Sequence, residues 1–222
     1  MGTIKENLIK IQENINTAKQ ISPYKQDVQI IAVTKSVSVE RTVEAFQENI
    51  HHLGENRPEG LIEKYETLGE QPIWHFIGSL QTRKVKQVLP FIDYLHSLDR
   101  LSLAEEIEKR AENPVKCFVQ VNVSGEASKH GLNAQEALVF IEQLQAFSNI
   151  IVVGLMTMAP FTKDEQLIRN VFKNLKTLQL QVQEKNYSNA PCTELSMGMS
   201  NDYQIAIEEG ATFVRIGTAL VG

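Results

Sequence analysis

Lys35 has the setting that points most directly to chemistry. It follows four apolar residues, Ile30 to Val33, and one threonine, so its ammonium emerges at the end of a nearly continuous hydrophobic run. Desolvation there would favour the neutral amine, which attacks carbonyl carbons and forms Schiff bases. Taken alone, the pattern fits a lysine that snorkels to solvent at a strand end better than a nucleophile. A second grouping adds weight: Ser196 to Ser200 (SMGMS) opens a helix expected to begin near Asn201, and a helix N-terminus offers free N–H groups to an anion. Arg215 to Gly217, followed by Thr218, makes another polar, glycine-containing turn one strand later. Ser200 as a helix N-cap and Gly217 as a tight turn would serve structure, and both roles can coexist with anion binding.

Other candidates are weaker. His51 and His52, with Glu55, bring metal ligands to mind, but adjacent side chains on a strand point to opposite faces, so no metal site is expected. His75 lies within an aromatic strand (WHF) and reads as a hydrogen-bonded core histidine. Cys117 and Cys192 lie far apart with no CxxC pair, which fits two reduced structural thiols.

These residues need a frame. Ile4, Leu8, Ile11, Ile15 and Ala18 recur at spacings of three and four, the mark of an amphipathic helix. Then Val28 to Val33 reads as a strand buried on both faces. Helical patterns follow at Ser38–Asn49, Arg57–Leu68, Thr82–Leu89, Leu101–Ala111, Ala134–Phe147, Lys163–Glu184 and Asn201–Glu209. Strand patterns lie between them at His52–Leu53, Ile73–Ile77, Tyr94–Ser97, Val115–Val123, Ile150–Thr157, Thr193–Ser196 and Phe213–Ile216. Eight helices alternating with eight strands close naturally into a single (β/α)8 TIM barrel over residues 1–222; an open doubly wound sheet is the rival. The sequence reaches Gly222 directly after the last strand, so the N-terminal helix is expected to complete the outer ring. In such a barrel chemistry sits at the C-terminal strand ends, where Lys35, Asn56, Ser200, Arg215, Gly217 and Thr218 all fall.

Composition excludes several classes. With 222 residues, 42% hydrophobic and 22% charged, the chain resembles soluble globular proteins. Its formal charge of -5 argues against a nucleic-acid partner. No apolar run approaches the roughly 20 residues that span a bilayer, and the N-terminus lacks a signal-peptide pattern, so no membrane association and a cytoplasmic location are expected.

The segments AVTK (Ala32 to Lys35), HHLGENR (His51 to Arg57), WHFIGSLQ (Trp74 to Gln81), QVNVSGEASKHGL (Gln120 to Leu132), GLMTMAP (Gly154 to Pro160) and Glu194 to Gly222 occur in order along nearly the whole chain. Together they resemble the pyridoxal phosphate homeostasis protein family, itself similar to the N-terminal barrel of alanine racemase. The resemblance implies pyridoxal 5'-phosphate (PLP) as cofactor, held as a Schiff base on Lys35. Ser200, Gly217 and Thr218 match phosphate-holding positions, Arg215 matches the arginine that faces the pyridine nitrogen, and Asn56 lies near the cofactor rim. It also implies a carrier or buffer of PLP with no catalytic residues; PLP-requiring apoenzymes are expected as recipients, and the lack of a second domain favours a monomer. One departure stands out: Arg83 replaces the family's asparagine in the third-strand loop. The alternatives are a slow PLP-dependent amino acid racemase and a Schiff-base aldolase without PLP. Racemases use a second base, a tyrosine from an additional domain in alanine racemase, and no tyrosine here falls at a predicted strand end apart from Tyr203, which is expected to begin a helix.

Overall fold

Each apolar run becomes a strand, and the strands pair in parallel and in sequence order around a closed barrel. They are β1 (Gln29–Val33), β2 (His52–Glu55), β3 (Ile73–Phe76), β4 (Tyr94–Leu98), β5 (Val115–Gln120), β6 (Ile150–Met156), β7 (Glu194–Met199) and β8 (Phe213–Ile216), the last pairing back onto β1. The structure, a computed structural model, describes residues 2–126 and 130–222; the centre of the Gln120–Leu132 motif, residues 127–129, lies outside the described residues. The crossover helices are α2 (Val39–Gln47), α3 (Pro58–Leu68), α4 (Val85–Val88), α5 (Leu101–Arg110), α6 (Ala134–Gln143), α7 (Glu165–Glu184) and α8 (Tyr203–Glu208). The expected helix Thr82–Leu89 is broken into a 3-10 turn, the single α turn α4 and a second 3-10 turn at Leu89–Phe91. Pro90 cannot donate to a helical ladder, so a continuous helix is not available there.

The leading helix, α1 (Ile4–Ile21), buries the five residues its spacing marks. Thr3 caps it: its hydroxyl accepts from the Glu6 N–H while the Glu6 carboxylate accepts from the Thr3 N–H. It completes the outer ring by packing on α8 and on α9 (Thr218–Val221). The presence of α9 corrects the expectation that no helix follows the last strand. Thr218 to Val221 is one turn long, too short to show a period, and it closes because the Leu220 and Val221 amides donate to the Gly217 carbonyl.

Strand alternation sorts the buried side chains into two groups. Ala32, Leu53, Leu95, Leu155 and Leu195 face the helices within the large aliphatic core, whereas Ile31, Phe118, Met156 and Phe213 form a separate cluster inside the barrel. The bore is also lined by stacked rings, with His75 on Tyr94 at 4.6 Å and His96 on Phe118 at 4.3 Å.

Candidate cofactor site

All six sequence-predicted residues lie at the C-terminal end of the barrel. Lys35 follows β1, Asn56 follows β2, Ser200 follows β7, Arg215 lies in β8, and Gly217 and Thr218 follow β8. Strand pairing brings the two ends of the chain together: Ile31 and Ala32 of β1 stand in register with Arg215 and Ile216 of β8. A Cβ built on Gly217 would lie 3.5 Å from the Val33 carbonyl. The turn carrying Gly217 and Thr218 is therefore seated beside the end of β1, two residues before Lys35. The β7 turn joins it, since the Ala219 N–H reaches the Ser200 hydroxyl at 3.5 Å.

Lys35 is exposed, as its position at a strand end favours: the chain leaves β1 at Val33 and Lys35 stands two residues on, in the following turn. One expectation about these residues is corrected. Ser200 is not the cap of the helix after β7; α8 begins at Tyr203, and the cap position belongs to Asp202. The Asp202 carboxylate accepts from the Met199 N–H, closing the SMGMS turn. This turn contains Gly198 at φ +91°, a left-handed conformation that favours glycine.

Arg215 is the most constrained of the six. It is 5% exposed, and its guanidinium donates to the Ser196 carbonyl at 2.8 Å, the Ser196 hydroxyl at 2.6 Å and the Thr157 carbonyl at 2.9 Å. These account for three of the five N–H groups that a guanidinium carries. Burial pushes its pKa down to about 10, against the attraction of Asp202, so it stays cationic at neutral pH.

Beneath Lys35 lies an ion pair that the sequence reading missed. Lys64 of α3 donates to the Thr34 carbonyl at 2.6 Å and pairs with Glu55, while the Thr34 hydroxyl donates to the same carboxylate at 2.6 Å. Both charged side chains are almost fully enclosed, at 3% and 1% exposure. The available signal was spacing: Lys64 lies three residues after Leu61 and four before Leu68 on one buried helix face. Asn56 is fixed from above by the β3 loop, where a Cβ on Gly78 would lie 2.2 Å from the Asn56 carbonyl oxygen, so only glycine permits that approach. Arg83 is exposed and donates to Gln81 within its own turn.

A second missed feature runs down the bore. Ser196 Oγ lies 2.9 Å from His96 Nδ1, His96 Nε2 lies 2.8 Å from His75 Nδ1, and His75 Nε2 lies 2.9 Å from His52 Nδ1. His75 is thus the hydrogen-bonded core histidine expected of it. His96 carried a detectable signal, since histidines recur on three successive strands at inward positions. Burial holds both His75 and His96 well below the usual imidazole range. His51 is exposed and His52 turns inward, as alternation requires. Among the described residues no group of three or more His, Cys, Asp or Glu is placed to hold a metal. Cys117 and Cys192 are both free and buried, and burial raises both thiols, Cys192 to about 12, so neither is a thiolate at neutral pH.

Comparison with known proteins agrees with this architecture. Residues 7–222 match the family model described as alanine racemase, N-terminal domain. A pyridoxal phosphate homeostasis protein of Aquifex aeolicus is 38% identical over 98% of this chain and 96% of its own. The chain belongs to the pyridoxal phosphate homeostasis protein family. A mouse protein of the same name is 37% identical, over 87% of this chain and 76% of its own. PipY of Synechococcus elongatus, solved with PLP bound, is 30% identical over 99% of this chain and all of its own, with a TM-score of 0.85. An alanine racemase from Clostridium difficile shares the fold at a TM-score of 0.75 and 16% identity, and this chain spans 55% of it. No helix among the described residues is long and apolar enough to cross a membrane.

Proposed function

We propose that this protein binds pyridoxal 5'-phosphate as a Schiff base on Lys35 and serves as a non-catalytic carrier or buffer of that cofactor. The observation that carries the reading is the pairing of β1 with β8, which brings the strand that leads to the exposed Lys35 next to the strand that carries the buried, immobilised Arg215. The donor set fits the group: an amine for an aldehyde, a cation with unused N–H groups for a ring nitrogen, and two adjoining turns at Ser200 and Gly217–Thr218 for a phosphate. Asn56 lines a cleft of about 300 Å³ between the β2 and β3 loops, with Phe76, Ser79, Gln81 and Lys84, and the reading takes it as a rim residue. PLP supplies an electrophilic carbon and a pyridine ring that acts as an electron sink, strongest when its nitrogen is protonated.

Arg215 works against such a sink. A guanidinium has no acceptor site, so Arg215 could donate a hydrogen bond to the ring nitrogen of bound PLP but would not take a proton from it. Neither Tyr203 nor Tyr94 is placed to act as a second base. Tyr203 begins α8, and its hydroxyl is hydrogen-bonded to Asn14 of α1 at 2.8 Å; Tyr94 is stacked inside the bore. Both features support carriage over racemisation. The same reading takes residues 1–222 as one barrel domain, a cytoplasmic monomer that hands PLP to apoenzymes requiring it.

Borohydride reduction of the PLP-loaded protein, followed by peptide mapping, tests it. A phosphopyridoxyl adduct on Lys35, together with loss of the yellow absorption band in Lys35→Ala, is expected. An adduct elsewhere, or a band that survives the substitution, overturns the Lys35 assignment. L-Amino acids incubated with the loaded protein in deuterated water should keep their α-protons; exchange would establish the racemase reading instead.

A further inference from the structure

The bore of the barrel holds a continuous polar line that none of the six site residues explains. It starts at the Arg215 guanidinium and passes through the Ser196 hydroxyl to His96, His75 and His52, with every link between 2.6 and 2.9 Å. The line lies among Tyr94, Phe118 and Phe213, where an unpaired polar group is costly. Ser196 decides the direction in which the line is read. Its oxygen accepts from Arg215, so its single proton is free for His96 Nδ1, the remaining partner on that oxygen. His96 then carries its proton on Nε2 and donates to His75 Nδ1, and His75 in turn donates from Nε2 to His52 Nδ1.

In this arrangement each imidazole turns its lone pair towards Arg215 and its N–H away from it. The reverse arrangement would aim the His96 Nδ1–H at an oxygen already bonded to a cation, and would strand the serine proton. The positive charge of Arg215 therefore selects one set of tautomers. In return, the aligned ring dipoles stabilise a guanidinium that is almost fully removed from water.

We infer that Ser196, His96 and His75 are positioning residues for Arg215: they hold its guanidinium in one orientation, with its unused N–H groups turned to the position of a ligand acceptor. Resting on the PLP reading above, this gives the ring nitrogen of bound PLP a fixed cationic donor, and it makes retention of the cofactor depend on histidines that never touch it.

Two measurements test the inference separately from the PLP reading. In the PLP-free protein, nitrogen-15 NMR of the histidine rings should show His96 and His75 both protonated on Nε2; a proton on Nδ1 of either overturns the ladder as drawn. In titrations with PLP followed at the absorption band, Ser196→Ala and His96→Phe should each weaken binding on the order of tenfold, the worth of one hydrogen bond to a charged group. Both should also shift the band, a change that loss of packing alone would not produce. His96→Asn, which keeps an acceptor for Ser196, should restore the wild-type band and most of the affinity, and it provides the folded control if His96→Phe does not fold. Variants that bind PLP with the wild-type affinity and band overturn the positioning role. A wild-type protein that takes up no PLP overturns the functional reading, while the tautomers still decide the ladder.

Discussion

Between the sheet and its helices the buried strand residues include Ala32, Leu53, Trp74, Leu95, Cys117, Leu155, Leu195 and Val214, and Glu55 apart they are apolar, while the bore of the same sheet holds three histidines, Ser196 and Arg215 beside its rings. Both sets come from the same strands. In β8 (FVRI), Val214 and Ile216 pack under the helices, and Phe213 and Arg215 point inward. One face of each strand thus contributes packing, and the other contributes the site. The division follows from alternation alone: the helix-facing side has a continuous apolar partner, whereas the bore, filled only by its own side chains, can hold polar groups if each finds a partner across the barrel. Substitutions on the two faces should then fail in different ways.

The Lys64–Glu55 pair is the exception, a pair of charges within the aliphatic layer, and it tests the division most severely. Replacing Lys64 by Met leaves the Glu55 carboxylate enclosed without its cation, which should cost about 3–5 kcal/mol in urea unfolding. Replacing both, Glu55→Leu with Lys64→Met, should recover much of that loss, because neither charge is then stranded. Since Lys64 also holds the Thr34 carbonyl, the residue before Lys35, the double variant should still show weakened PLP binding although its stability returns. Recovery of both together would mean that the pair serves packing alone.

The bore predicts a different signature, a dependence on pH. His75 and His96 are held neutral in the fold by burial, then by His96, His52 and Lys116 around the first and Arg215 and His52 around the second. Their folded pKa values lie below the ordinary value of 6.5, so below that pH the unfolded chain takes up protons that the folded chain refuses. Stability is therefore full above pH 6.5 and falls as the pH drops through that value towards the folded pKa values, with a slope approaching about 1.4 kcal/mol per pH unit for each histidine. Unfolding measured between about pH 7.5 and 5.5 should show this slope reduced by one histidine's share in His75→Phe. An unchanged slope would place the acid sensitivity outside the bore.

Most of the frame was legible from periodicity. The eight strands, the apolar face of α1 and the collection of Lys35, Asn56, Ser200, Arg215, Gly217 and Thr218 at one end of the barrel all follow from local pattern. What escaped was partnership across the fold. Ser196 and His96 are 100 residues apart, and Arg215 reaches Thr157 across 58; no local pattern records which inward residues meet. The boundary at Ser200 was misplaced for a related reason. Serine is a good cap by type, but Asp202 occupies the cap position here and reaches back to the Met199 amide, leaving the Ser200 hydroxyl to face α9.

The smallest effect belongs to the N-terminal end of an outer-ring helix. The capping box of α1 pairs the Thr3 hydroxyl with the Glu6 N–H at 3.2 Å, and the Glu6 carboxylate with the Thr3 N–H at 2.9 Å. Both bonds are solvent-exposed, so their loss frees two amides that water can partly satisfy. Thr3→Ala should destabilise by about 1 kcal/mol, lowering the urea midpoint with no change in the slope against denaturant. Because α1 packs on α8 and α9 behind the Ser200 and Gly217 turns, this variant also asks whether the outer ring transmits to the site. An unchanged PLP band and affinity would show the two faces to be independent even where a ring helix lies directly behind the proposed phosphate turns. A shift in either would make α1 part of the site's support.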